Sequence, residues 1–317
     1  MIATKLTDLL GIQYPIFQGA MAWISDGELA AAVSNAGGIG IIAGGNAPTS
    51  WVREQIARAR ELTDKPFGVN VALFSHYVDE VADLLTADPV AVITTGAGNA
   101  GKYIARWNEA GTKVIPVVAS VALARRMEKE GVAAIIAEGG ESGGHIGELN
   151  TMALVPQVVD AVDIPVLAAG GIGDGRGVAA AFMLGAEGVQ MGTRFLVAAE
   201  CNVHPNYKQK ILAAKDRETI TTGKRLGHPV RCLKTPFSRD LAAKEQDQSV
   251  SAEELERLGV GALRKAAIEG DLEQGCFMSG EIAGLITREQ SAAEIVTELF
   301  CEAEALLTGR AQELVRA

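Results

Sequence analysis

The segment 137–147 reads AEGGESGGHIG, mixing glycines with two carboxylates, a serine and His145, one of four histidines in the chain. A stretch this rich in glycine either turns a corner or lets backbone approach a ligand. An imidazole titrating near neutrality can give or take a proton there. Ser142 has no histidine and aspartate arranged near it in sequence, so acyl hydrolysis is a poor fit. Two later segments, AAGGIGDG (168–175) and MGTR (191–194), carry the parts of a phosphate site. Gly170, Gly171 and Gly192 offer bare backbone N–H groups and Thr193 a hydroxyl. GAGNAG (96–101) matches the dinucleotide fingerprint GxGxxG. The acidic residue expected about 20 positions on is missing from TKVIPVVAS (112–120). No GxxxxGK[ST] occurs, so an ATP-hydrolysing P-loop is not indicated. His76, His204 and His228 lack such company and are read as structural or substrate-facing.

These groups need a frame to bring them together. Short apolar runs recur at 14–21, 38–45, 66–73, 90–98, 112–120, 133–140, 164–173 and 188–195, with helical patterns between them. Several are continuously apolar, as strands buried on both faces are. Eight such runs with a helix between each pair predict an α/β protein, a (β/α)8 TIM barrel. A doubly wound open sheet has the same alternation and stays open as the alternative. The runs end in small and polar residues (QGAM, AGGN, GVN, TTGAG, AAGGIG, MGTR), which leave room for a ligand across a barrel mouth. On this frame His145 sits on the loop after the sixth strand. The glycines and Thr193 sit after the seventh and eighth, the usual phosphate corner. Ser25 and Glu28 predict a capping box at one helix start, with Gly37 as its stop. Ser291 and Glu294 predict another, opening a closing helix over 291–315. Residues 199–285 then form a large insertion after strand eight, a smaller substrate-facing subdomain on a barrel made of 1–198 and 286–317.

Composition narrows the function classes. With 317 residues, 48% of them apolar, the chain can bury a large core. No apolar run reaches the roughly 18 residues of a membrane helix. The N-terminus lacks a basic region followed by an apolar stretch, so no signal peptide is expected. Cys201, Cys232, Cys276 and Cys301 are far apart with no CxxC pair. That predicts free thiols in a reducing cytoplasm and no zinc site. A net charge of −10 argues against nucleic acid as partner. The charge is uneven, for residues 208–244 hold ten lysines and arginines against three acids, a local +7. Such a reversal either steers an anionic partner or is a solvated face.

The motifs YPIFQGAMAW, AGGNAP, DKPFGVNV, TTGAGN, ESGGHIG, PVLAAGGI and VQMGTRF resemble the flavin-dependent enoyl-acyl-carrier-protein reductases II of bacterial fatty-acid synthesis and the closely similar nitronate monooxygenases. The likeness runs from about residue 5 to 310, and HPNYK, GHPVR, GALRKAAIEGD and GEIAGLI favour the reductases. The chain departs from the family pattern with QGAM for QGGM, PVVAS for PVVPS and His76 for proline. The resemblance implies FMN across the barrel mouth, with Gly19, Ala20, Met21, Gly44 and Asn46 along one side and Asn70 near the ring. Glu138, Ser142, Gly143 and Gly144 would flank the ribityl chain and ring. Gly170, Gly171, Gly192 and Thr193 would hold the phosphate, and His145 would face the ring and the substrate as proton donor. NADH or NADPH is the implied reductant. The implied substrate is a trans-2-enoyl thioester on acyl carrier protein, with 208–244 as the candidate dock. A homodimer and stimulation by a monovalent cation are further implications. The competing readings are nitronate oxidation by oxygen, a barrel lyase or isomerase acting on a phosphorylated metabolite, and a non-catalytic flavin carrier.

Overall fold

The eight apolar runs are the eight strands of a closed parallel barrel. The computed structural model describes residues 2–45, 47–96, 98–310 and 313. Its strands are β1 (Ile16–Gln18), β2 (Ile39–Ala43), β3 (Gly68–Ala72), β4 (Val92–Gly96), β5 (Lys113–Val118), β6 (Ile135–Glu138), β7 (Gly144–His145), β8 (Val166–Ala169), β9 (Gly188–Met191), β10 (Thr219–Thr222) and β11 (Val230–Leu233). The barrel order is β1-β2-β3-β4-β5-β6-β8-β9. Closure comes from β1, which places Phe17 opposite Ile39 of β2 and Ile16 opposite Val189 of β9. A closed barrel removes the open-sheet alternative and with it the dinucleotide reading of GAGNAG. Gly96 ends β4, and Gly101 opens the helix Gly101–Glu109.

Strand alternation explains why the runs are apolar throughout. Phe17, Ile39, Ile41, Val92, Ile115, Ile136 and Leu167 form one buried cluster inside the barrel. Their neighbours Ile16, Ile42, Val69, Ile93, Val114, Ile135 and Val189 pack outward against the helices in another. Burying each large side chain contributes about 1.5–3 kcal/mol. A short helix that the periodicity did not single out, Lys5–Leu10, stoppers the N-terminal end. Its Leu6 joins the inner cluster, and Thr4 Oγ1 donates to Glu187 O at 2.7 Å beside the start of β9. The C-terminal ends of the strands are left to carry a site.

The two predicted helix caps fare differently. Ser291 and Glu294 form the expected capping box on the helix Ala292–Ala305. That helix runs on as a π turn over Leu306–Arg310, and most of 311–315 lies outside the described residues. At the other site the N-cap of Gly27–Asn35 is Asp26, not Ser25, and it accepts from Leu29 N at 2.9 Å. The Ser25 hydroxyl is drawn inward instead, accepting from Gln18 Nε2 and Met21 N, each at 2.9 Å. A buried amide has no water to fall back on, so it takes the hydroxyl that an exposed helix end can do without.

Between β9 and the closing helix the chain forms the helix Pro205–Leu212, the antiparallel hairpin β10–β11, the helices Pro236–Gln246 and Ala252–Gly259, and a 3-10 turn at Glu281–Leu285. Cys232, Ala262 and Cys276 make a small core here with Ile220, Phe237 and Met278. All four cysteines are free. The hairpin reaches back to the barrel, where β11 pairs with β7, Val230 opposite His145 and Arg231 opposite Gly144. Among the described residues no helix is long and apolar enough to cross a membrane.

Candidate active site

Each barrel strand hands its C-terminal residues to the mouth, and backbone bonds carry the strand pairing up to the rim. Gly19 N–H donates to Met191 O at 2.9 Å, Gly44 N–H to Asn70 O at 3.0 Å, and Gly139 N–H to Ala169 O at 2.9 Å. The Asn70 amide is anchored by donating to Thr94 Oγ1 at 3.0 Å. Met21 adjoins Gly192, on which a Cβ would lie 3.7 Å from the Met21 sulfur. Ala20 packs on the inner barrel cluster. Gly170 and Gly171 both take left-handed backbone, φ +87° and +71°. A Cβ on Gly170 would sit 2.7 Å from Gly139 O, so only glycine lets the ends of β6 and β8 approach this closely. Thr193 Oγ1 accepts the Gly280 N–H at 2.9 Å, which leaves the hydroxyl hydrogen free to donate. The predicted residues of β1, β2, β3, β6, β8 and β9 therefore share one rim. Asn46 lies outside the described residues.

The 137–147 segment runs, as expected, from the end of β6 into a loop at the mouth, and that loop is pinned by hydrogen bonds and by the two-residue strand β7. Gly140 N–H donates to Leu149 O at 2.8 Å. Gly140 O accepts from Arg231 Nε and Nη2 at 3.1 and 2.9 Å, while Arg231 Nη1 pairs with Glu281 at 2.9 Å. Glu141 accepts Thr151 N–H at 2.9 Å, closing the N-terminus of the helix Thr151–Val159, and its carbonyl accepts Glu281 N–H at 3.0 Å. Gly143 lies against the Ser279–Gly280 backbone, where a Cβ would come within 2.6 Å. The β7–β11 pairing then fixes Gly144 and His145, and Ile146 N–H continues it to Pro229 O at 3.0 Å. The β10–β11 hairpin thus sets where His145 stands.

His145 is exposed at the mouth near Phe74 and His228, ring centroids 6.1 and 6.3 Å away. The surrounding walls still desolvate its charged form. That effect, then repulsion from His228, holds its pKa below the ordinary 6.5. Ser142 is buried, and its hydroxyl finds no hydrogen-bond partner. Burial pushes the Glu138 carboxyl up to about 7 from 4.5, and the neighbouring Ser142 hydroxyl pulls the other way without reaching normal hydrogen-bond geometry. The folded protein therefore keeps a proton that the unfolded chain releases between pH 4.5 and about 7. Stability falls as pH rises through that window and is level above it. Glu138→Gln is expected to remove this dependence in flavin-free protein. Its stability advantage should grow across the window to roughly 3 kcal/mol and then stay constant. Thermal melts at a series of pH values check this, and parallel curves for the two proteins would contradict it.

Several residues of the mouth escaped the sequence reading. Gln18, fully buried, ties β1 to β2 by accepting Ile41 N–H at 3.0 Å. Trp23 holds φ +66° and stays half exposed, with the Arg264 guanidinium 5.9 Å from its ring. A bulky residue at positive φ is a strained one, and no local pattern announces it. His204 is structural, since its Nδ1 accepts Asn206 N–H at 3.1 Å as a helix cap. The basic run 208–244 is less available than its composition implies. Lys208 binds Ala198 O and Glu289, both at 2.7 Å, and Arg225 binds the carbonyls of Asp247 and Val250. Arg231 holds Gly140, and Lys244 pairs with Asp240. Lys215, Arg217, Lys224 and Arg239 are exposed and form no side-chain ion pair among the described residues.

Comparison with known proteins agrees with this geometry. The nitronate monooxygenase family model matches residues 3–83 and 74–302. FabK from Thermotoga maritima superposes with a TM-score of 0.96 at 49% identity, covering 99% of this chain and 100% of its own. The (3aS,4S,5R,7aS)-5-hydroxy-7a-methyl-1-oxo-octahydro-1H-indene-4-carboxyl-CoA dehydrogenase of Rhodococcus jostii (strain RHA1) is 40% identical over 240 residues, 76% of this chain and 68% of that one. A probable nitronate monooxygenase of Staphylococcus aureus (strain JH9) is 34% identical over 331 residues, 89% of this chain and 92% of that one.

Proposed function

The chain belongs to the nitronate monooxygenase family, and within it we propose that this protein is an FMN-dependent enoyl-thioester reductase using NADH or NADPH, with enoyl groups on acyl carrier protein as substrate. One observation carries the reading: the insertion hairpin fixes His145, by strand pairing, at a rim lined with glycine and small polar residues. Two relatives support a thioester substrate, FabK as an enoyl-ACP reductase II over the full chain and the Rhodococcus enzyme as a dehydrogenase of a carboxyl-CoA.

The residues present fit FMN. Ser142 has a buried hydroxyl without a partner, Glu138 a half-buried carboxyl beside it, and Thr193 a hydroxyl hydrogen left to give. Gly170, Gly171, Gly192 and Thr193 would hold the phosphate, Glu138 and Ser142 the ribityl hydroxyls, and Gly19, Met21, Gly44 and Asn70 the ring. When bound, FMN supplies the hydride chemistry between nicotinamide and the enoyl β-carbon. The chain's own part is to orient the thioester and to answer the charge that reduction places on its oxygen. His145, neutral at physiological pH because its pKa is lowered, gives an N–H to that oxygen at the mouth. Phe74 closes one side of it with an apolar wall.

The purified protein is expected to be yellow and to consume NADH or NADPH with a crotonyl thioester. Nitronate oxidation is the second reading, favoured by the staphylococcal relatives. Oxygen uptake with a nitroalkane and no nicotinamide oxidation with the thioester would select it, and a colourless protein that FMN cannot reconstitute would defeat both. The carrier dock narrows to the exposed bases. Lys224→Glu with Arg239→Glu is expected to raise KM several-fold for carrier-bound substrate and little for a small thioester, because rim charges act mainly on encounter. Equal changes in both would mark the run as a solvated face.

A further inference from the structure

The mouth holds a second imidazole that the proposed chemistry has not used. His228 lies in the turn of the β10–β11 hairpin, two residues before Val230, the register partner of His145. Its ring centroid is 6.3 Å from that of His145, with the planes inclined at 57°. Neither ring makes a hydrogen bond to protein among the described residues, and both are exposed at the mouth. His228 Nε2 is 3.9 Å from Glu256 Oε1, an ion-pair distance too long to take up its N–H. The other charges nearby are committed elsewhere. Arg225 is turned onto Asp247 and Val250, Glu245 accepts the N–H groups of Gly223 and Arg225, and Arg231 holds Gly140 and Glu281. Lys224, in the same turn, is exposed.

We propose that His145 and His228 form a two-imidazole clamp on a single substrate oxygen, the thioester carbonyl, so that His228 is a further catalytic residue supplied by the insertion. The spacing suits one shared acceptor. A nitrogen sits about 1.1 Å from its ring centre, and a hydrogen bond to oxygen adds about 2.8 Å. Two such arms meeting at an oxygen span the observed separation at an angle near that between its lone pairs. The same gap is too wide for a direct bond between the rings. Electrostatics point the same way, because two N–H dipoles aimed at one oxygen favour the negative charge that reduction places on it. The hairpin also couples the donors, because the pairing of Val230 with His145 fixes both on one small sheet.

The clamp rests on the enoyl-thioester reading for the identity of the oxygen, and its test has a readout that needs no turnover. The probe is acetoacetyl-CoA, a β-keto thioester whose enolate absorbs in the near ultraviolet, titrated into the flavin-loaded protein. The parent is expected to bind the enolate and so lower the apparent pKa of the bound thioester. His228→Ala should weaken enolate binding by about tenfold or more, as is expected of His145→Ala, since each removes one oxyanion donor. In crotonyl thioester reduction His228→Ala should lower kcat, on the order of tenfold to a hundredfold, with KM little changed. Enolate binding equal in His228→Ala and the parent would overturn the clamp. So would a change confined to KM. If the parent reduces no enoyl thioester yet binds the enolate in a His228-dependent way, the clamp stands and the reductase reading falls.

Discussion

Replacing His145 with alanine is expected to leave the protein folded and yellow while enoyl-thioester reduction falls by about 10²–10⁴-fold. The fold should survive because the imidazole makes no hydrogen bond to protein among the described residues and is exposed. What holds this stretch is backbone: the β7–β11 pairing, Gly140 to Arg231, and Glu141 to Glu281. Alanine keeps all of these. The rim glycines, Ser142 and Thr193 are untouched, so flavin absorbance per protein should match the parent. The loss belongs in kcat, because the N–H matters most as charge develops on the substrate oxygen. Reduction of the flavin by nicotinamide alone, followed anaerobically, should continue at close to the parental rate. Full activity with a crotonyl thioester would remove His145 from the chemistry.

The same residue marks where sequence reasoning stopped. The eight barrel strands were legible because each is apolar on both faces, a pattern that needs no knowledge of its neighbours. β7 was not, since it is two residues long and its partner β11 lies about 85 positions further on. Glycine content therefore showed the loop but not the two-residue pairing that pins it. Ser25 was misplaced for a related reason. Its spacing to Glu28 satisfies a local rule, but Gln18, seven residues back and buried, makes the stronger demand on its hydroxyl. Charge counting overstated the basic run, because Lys208, Arg225 and Arg231 spend their donors on carbonyls that no sequence window reveals. The place of Gly170, Gly171 and Thr193 on the rim, by contrast, was legible residue by residue. Positive-φ glycines at 170 and 171 and the hydroxyl of Thr193 are properties of type and position on the strand, not of distant partners.

That corner should respond sharply to side-chain bulk. Gly170→Val is expected to lose FMN and destabilise the barrel, while Gly171→Ala is expected to keep FMN and lose only the stability that backbone strain costs. The two positions share left-handed backbone, φ +87° and +71°, so each substitution costs roughly 1–2 kcal/mol of backbone strain. They differ in space. A Cβ at Gly170 would lie 2.7 Å from Gly139 O and 3.2 Å from Thr151 Oγ1, both fixed at the junction of β6, β8 and the helix Thr151–Val159. At Gly171 the nearest atoms are 3.4 Å away and belong to the Glu141 side chain. Overpacking at Gly170 adds about 1–3 kcal/mol and must push the end of β8 away from β6. That movement carries the backbone assigned to the phosphate with it. Each 1.4 kcal/mol lost there weakens FMN by about tenfold. Thermal melts with and without FMN, together with a flavin-binding titration, separate the two effects. Parental FMN affinity in Gly170→Val would place the phosphate elsewhere on the rim. Equal losses in both variants would mean that backbone strain, and not the close approach of β6 and β8, sets the site.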